Sequence, residues 1–242
     1  MIVDLSELYG ERCSTIIDLT DNCIILGKDK SNRSNLMINM ILALSKKYSK
    51  NDIEIKIIKS LDFNNNSFTC NEYKSSFSHV SEIMTVESLE DFSLALDYII
   101  YNIGCRKEIF DKRFCCNIEE FNIKNPDGRL PVSIIFIDDI GKVNNIESDE
   151  VRNKLDMLFS ISKAFGVYFI CADQLHIKMY KELYLKYFPI KSVLNTSKDM
   201  FNDFLIQQPY IELNQDALLV DDGSNVTFYK VPYVGKHCGF NK

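Results

Sequence analysis

Two rhythms of apolar residues alternate along this chain. Nearly continuous apolar runs at Ile24–Leu26, Ile53–Ile58, Val132–Ile140 and Val167–Ala172 predict buried strands. Between them, apolar positions recur every three or four residues. Leu36, Met37, Met40, Ile41 and Leu44 predict a helix opening near Ser34, with Lys46 and Lys47 in its last turn. Leu89, Phe92, Leu96, Ile99, Ile103 and Ile109 predict a long helix over Glu87–Phe114, which Gly104 is placed to interrupt. Val151, Leu155, Leu158, Phe159 and Ile161 predict a third over Glu150–Phe165, ended by Gly166. His79-Val80 with Ile83–Val86, and Ser192–Leu194, add shorter strands, with the polar run Asn64–Ser67 as a loop. Asn125-Pro126-Asp127-Gly128 reads as a turn. Ala217–Val220 and Val226–Val231 flank Asp221-Asp222-Gly223, the pattern of a hairpin. Ahead of all this, Ile2, Val3, Leu5, Leu8 and Tyr9 form an amphipathic piece that stops at Gly10, followed by Ile16, Ile17 and Leu19. Residues 1–22 are expected to be a packed lead-in or a linker, and residues 23–242 the domain proper.

Strands alternating with helices of this length predict an α/β fold, a mainly parallel sheet flanked by helices. In such sheets ligands lie beyond the carboxyl ends of the strands, and Gly27, Asp138-Asp139 and Gln174 all fall at strand ends.

The stretch CIILGKDKSNRSNLMINMI, Cys23–Ile41, carries the candidate chemistry. Strand, polar loop and helix form the frame of a phosphate-binding loop, G-x-x-x-x-G-K-[ST], whose backbone N–H groups wrap phosphates while its hydroxyl holds Mg²⁺. On that template Gly27 takes the first glycine, Asn32 the second, Arg33 the lysine and Ser34 the hydroxyl. Asn tolerates the left-handed backbone of a loop glycine. Arg keeps the charge but replaces a compact ammonium with a planar fork. A plain loop with Ser34 as helix N-cap is the competing reading. Lys28 and Lys30 either replace the missing lysine in part or are solvated surface charge.

Composition narrows the choices. A chain of 242 residues, 46% hydrophobic and 26% charged, is ordinary for one large globular domain. A net charge of −6 argues against a broad DNA-tracking surface. No apolar run is long enough to cross a bilayer and no signal sequence opens the chain, so a cytoplasmic location is expected, with tethering to the inner face of the membrane through a larger protein as an option. The eight cysteines form no C-x-x-C pair and there are three histidines, which favours reduced thiols over a zinc site. His176, His237 and Cys238 have no metal-ligand company in the sequence.

Four segments in order resemble the FtsK/SpoIIIE-type P-loop ATPases: the loop GKDKSNRSN, RKEIFDKRFCCNIEEFN at 106–122, the strand–acid segment SIIFIDDIGKV, and FGVYFICADQ at 165–174. The family pattern there is a Walker A loop, R-R-x-x-F with N-I-x-x-Y-N, a hydrophobic strand ending in Asp-Glu, and A-G-I-H-L-x-x-A-T-Q. The chain is most similar to a degenerate ATPase module of the type VII secretion coupling proteins, the EssC/EccC group. The resemblance implies a RecA-like P-loop fold with ATP and Mg²⁺ as cofactors, either of which the altered loop can have lost. It implies neighbouring ATPase modules of a tandem chain or ring and secreted proteins as partners, with DNA disfavoured. Asp138 then matches the carboxylate that holds Mg²⁺ through water against Ser34; the alternative is a turn-forming Asp. Asp139 matches the glutamate that activates water, one methylene shorter. Gln174 matches the sensor of the terminal phosphate, or is a strand-end polar residue. Lys163 stands where many members carry Arg. Weak or absent hydrolysis and a docking role follow; a DNA-translocating ATPase of chromosome partition or conjugation is the alternative.

Overall fold

A computed structural model of the chain describes residues 1–5, 16–28, 33–60, 78–138, 148–173, 178–205, 210–213 and 217–230. Its centre is an eight-stranded sheet in the order β10-β9-β8-β3-β7-β6-β4-β5. The strands are β3 (Cys23–Leu26), β4 (Ile53–Ser60), β5 (Val80–Val86), β6 (Val132–Asp138), β7 (Val167–Asp173), β8 (Ile190–Val193), β9 (Ala217–Asp221) and β10 (Val226–Lys230). From β8 across to β5 every pairing is parallel; β9 and β10 add antiparallel strands at one edge. The α/β class, the mainly parallel sheet and the C-terminal hairpin are therefore as the sequence predicts.

The α-helices are α1 (Arg33–Lys47), α2 (Leu89–Lys112), α3 (Ile118–Lys124), α4 (Asp149–Ile161), α5 (Lys178–Tyr187) and α6 (Lys198–Phe204). Side chains alternate across each strand, so the sheet has two cores. On one face Cys23, Ile25, Ile55, Ile57, Ile134 and Phe136 pack with the apolar side of α1. On the other, Ile24, Leu26, Ile58, Ile135, Ile137 and Phe169 pack under α2, α4, α5 and α6. β3, β6 and β7 are buried on both faces, which is why their sequences are continuous rather than alternating.

Local sequence sets the helix ends. Ser88 caps α2 by a capping box with Asp91, while Asn117, Ser148 and Ser197 cap α3, α4 and α6 through their side-chain oxygens. A 3₁₀ turn, Ser162–Phe165, extends α4 and ends on Gly166 in the left-handed region. Gly104 does not break α2: a Cβ there would meet nothing within 4 Å, so only intrinsic propensity opposes the helix. The opening residues alternate exposed Ile2 with buried Val3 and Leu5, while Leu8 and Tyr9 lie outside the described residues. β1 (Ile2–Asp4) and β2 (Ile16–Asp18) pair antiparallel, and Val3, Leu5, Ile17 and Leu19 are buried in the α1-side core.

Candidate functional site at the carboxyl edge of the sheet

β3 ends in the middle of the sheet, with Leu26 in register with Asp173 of β7 and Val193 of β8. The chain leaving it is pinned to the segment after β8: Leu194 N–H donates to Leu26 O (2.9 Å) and Lys28 N–H to Asn195 O (3.0 Å). Gly27 is buried here and Lys28 is exposed. Residues 29–32, with Lys30 and Asn32 among them, lie outside the described residues. Description resumes at α1, whose first turn has no acidic residue. Its amino end, the positive end of the helix dipole, lies at the edge where β3 stops.

Ser34 Oγ donates to Asp138 Oδ2 at 3.2 Å. These residues, 104 positions apart, come from the first turn of α1 and the last position of β6. β7 stands between β3 and β6, so the contact spans the carboxyl ends of three strands. Asp138 is buried, as is Arg33 beside Ser34. The predicted hydroxyl and the predicted carboxylate are thus brought together, and the residue at the lysine position lies buried next to them. A hydroxyl and a carboxylate facing each other are oxygen donors of the kind Mg²⁺ takes, so this pair fits the ion the loop template implies. Asp139 and Gln174 lie outside the described residues.

Two further buried charges border this edge. Lys59 of β4 is the register partner of Asp138 and is buried. Asp173 at the end of β7 is fully buried and accepts from Tyr184 Oη of α5 at 3.1 Å. Lys59, Asp138 and Asp173 are therefore buried near the ends of the neighbouring strands β4, β6 and β7, and Arg33 is buried at the start of α1. Neither Lys59 nor Asp173 was assigned a role from sequence. Each ends an apolar run, which is the available signal. Cys23 of β3 and Cys171 of β7 are core thiols on opposite faces of the sheet; burial pushes Cys23 up to about 12, and Cys171 is raised by the same cause.

The segment RKEIFDKRFCCNIEEFN lies at the opposite, amino edge. Arg106 donates to Glu54 Oε1 and to Phe165 O, each at 3.0 Å. Burial pulls its basicity down and Glu54 restores part of it. Phe110 stacks between Phe121 and Phe165. Asn122 both donates to Leu130 O (3.0 Å) and accepts from Leu130 N–H (2.8 Å). Ile118 fills the space beside Gly166, where a Cβ would fall 2.2 Å from Ile118 Cδ1. Lys163 of the same region is ion-paired with Asp21 of its own chain. These residues hold the amino ends of β6 and β7 in place.

No family model matches the chain, and no curated protein matches its sequence. Solved structures do. EssC (ATPases 2 and 3) from Geobacillus thermodenitrificans superposes with a TM-score of 0.72 at 16% identity, over 97% of this chain and 44% of that one. The cytoplasmic domain of the type VII secretion ATPase EccC of Thermomonospora curvata gives 0.72 at 15% identity, over 89% of this chain and 26% of that one. The pCW3 conjugation coupling protein TcpA gives 0.68 at 15% identity, over 91% and 63%. The chain has the fold of these ATPase domains. The chain spans less than two thirds of each of these neighbours. Among the described residues no helix is long and apolar enough to cross a membrane.

Proposed function

We propose that this chain is a degenerate ATPase module of a type VII secretion coupling ATPase, weakly hydrolysing or non-hydrolysing, that acts in docking of secreted substrates or in regulating export. The observation that carries the reading is the Ser34–Asp138 contact of 3.2 Å beside a buried Arg33. It keeps the metal-side frame of a P-loop while the lysine position holds a guanidinium. ATP would lie over the amino end of α1, along the loop from Gly27 to Asn32, with Ser34 and Asp138 holding Mg²⁺ and Gln174 beside the terminal phosphate. Asp139, one methylene shorter than Glu, falls short by about 1.5 Å, and a misplacement of roughly 1 Å costs on the order of 100-fold in rate.

Partners follow from the same neighbours. EssC and EccC carry their ATPases in series, and an EccC structure (ATPases 2 and 3) is a complex with a signal sequence peptide. The corresponding partners here are neighbouring modules and secreted proteins, on the cytoplasmic side of a membrane, with residues 1–22 leading into the module from 23–242. The likeness to the conjugation coupling protein TcpA favours a second reading, a DNA-translocating ATPase, which the net charge of −6 opposes.

Calorimetric titration of Mg-ATP into the wild type and into an Asn32→Gly, Arg33→Lys variant tests the first reading. Binding that appears or strengthens in the variant, with negligible turnover in the wild type, is the expected result. Brisk wild-type hydrolysis that depends on Ser34 and Asp138 would overturn it, and DNA-stimulated turnover would favour the second reading.

A further inference from the structure

One flank of α2 (Leu89–Lys112) faces neither the sheet nor α4. Its inner side, with Phe92, Leu96, Ile99 and Ile103, is committed to the core, and Lys154 of α4 is tied to Asp97 and Ser93. The outer flank carries Leu94, Tyr98, Tyr101 and Cys105. Their steps of four, three and four residues give the spacing with which one helix seats another along a seam. Leu94 is 60% exposed and Tyr101 69%. Tyr98 is steadied from below by the Lys56 ammonium, 5.3 Å from its ring centre. An apolar stripe on an otherwise polar helix flank marks an interaction site.

Charge says what kind. By helical periodicity Glu90 and Glu108 border the stripe, and both are exposed, as is Glu87 just ahead of the Ser88 cap. Lys112, in the last turn of the helix, is the basic residue on that flank. The rim repels anionic lipid and nucleic acid, both of which recruit cationic surfaces. It suits a helix whose apolar seam is flanked by Lys or Arg, which gains at the rim as well as along the stripe.

We propose that the outer flank of α2 docks a basic amphipathic helix of a partner protein. The site lies on the face of the sheet opposite α1 and needs no nucleotide, so it stands or falls separately from the ATPase reading.

The test uses the full chain and a fluorescein-labelled synthetic peptide of about three heptads, with Leu at the seam positions and Lys on both flanks. A matched peptide carries Glu in place of Lys. Anisotropy titration is expected to show saturable binding of the Lys peptide and binding at least about ten-fold weaker for the Glu peptide. Leu94→Ser with Tyr101→Ser is expected to weaken the Lys peptide about ten-fold or more. Glu90→Gln with Glu108→Gln is expected to weaken it and flatten its salt dependence. All four positions are exposed, so circular dichroism and melting of the variants should match the wild type. Equal binding of the two peptides, no saturable binding, or unchanged affinity in the Leu94/Tyr101 variant would each overturn the proposal.

Discussion

Gly166→Ala puts a single methyl where two parts of the chain meet. Gly166 has φ +69, a left-handed conformation that costs an L-residue about 1–2 kcal/mol. The new methyl would also sit 2.2 Å from Ile118 Cδ1, 3.0 Å from Cγ2 and 3.1 Å from Cβ. Ile118 is buried beside Phe110, Cys115 and Phe121, so its side chain has little room to withdraw, and overpacking of this kind costs about 1–3 kcal/mol. Together the substitution should destabilise the fold by roughly 2–5 kcal/mol, a large share of the stability of an ordinary domain. The two parts separate in a double-mutant cycle. Ile118→Val removes Cδ1, the nearest atom, and leaves Cγ2. On that background Gly166→Ala should cost about 1–2 kcal/mol less than in the wild type. Urea unfolding followed by circular dichroism reads both numbers. A wild-type cost under about 1 kcal/mol would refute the backbone argument. An equal cost on the two backgrounds would refute the steric one.

Other expectations follow from the same geometry. Arg106→Met leaves Glu54 with only the longer Lys56 pair, at 4.0 Å, and removes the donor to Phe165 O; it should cost about 2–4 kcal/mol in urea unfolding, with part of it recovered when Glu54→Gln is added. In the Asn32→Gly, Arg33→Lys variant, a further Ser34→Ala should abolish the Mg²⁺-dependent part of ATP affinity in calorimetry, and the lost donor to buried Asp138 should lower stability by about 1–3 kcal/mol. The carboxyls of Asp91 and Asp156 are held below the usual range, chiefly by the Ser88 hydroxyl and the Lys186 ammonium. Their contribution is present above the unfolded value and lost as pH falls through the folded one, so melting temperature should be level from about pH 7 to 5 and fall below roughly pH 4. Cys23 and Cys171, buried and raised in pKa, should resist alkylation in the native chain, whereas exposed Cys116 should react at once; mass-mapped labelling checks this.

The sheet was legible because β3, β6 and β7 are covered on both faces and so write themselves as unbroken apolar runs. The Ser34–Asp138 pairing was legible only through motif spacing, since nothing local connects two residues 104 positions apart. α5 went unread although Leu183, Tyr184, Tyr187 and Phe188, which all pack in the core, recur at helical spacing, because three of the four are aromatic and KMYKELYLKY is rich in Lys. α6 has 7 residues, with Phe201 and Phe204 as its one buried pair, too short for periodicity to speak. β1 and β2 have 3 residues each, and their pairing is a long-range fact. Lys59 and Asp173 acquire their meaning from strand register and from Tyr184, which no neighbouring residue announces.

The sheet separates two kinds of demand by its own length. The Arg106–Glu54 pair, the Phe110 stack and the Ile118–Gly166 contact brace one rim, whereas Gly27, Ser34 and Asp138 sit at the other. The two rims can therefore be altered independently. A substitution in the loop after β3 touches none of the contacts that brace the amino rim, and residues exchanged there do not disturb those that keep the molecule upright.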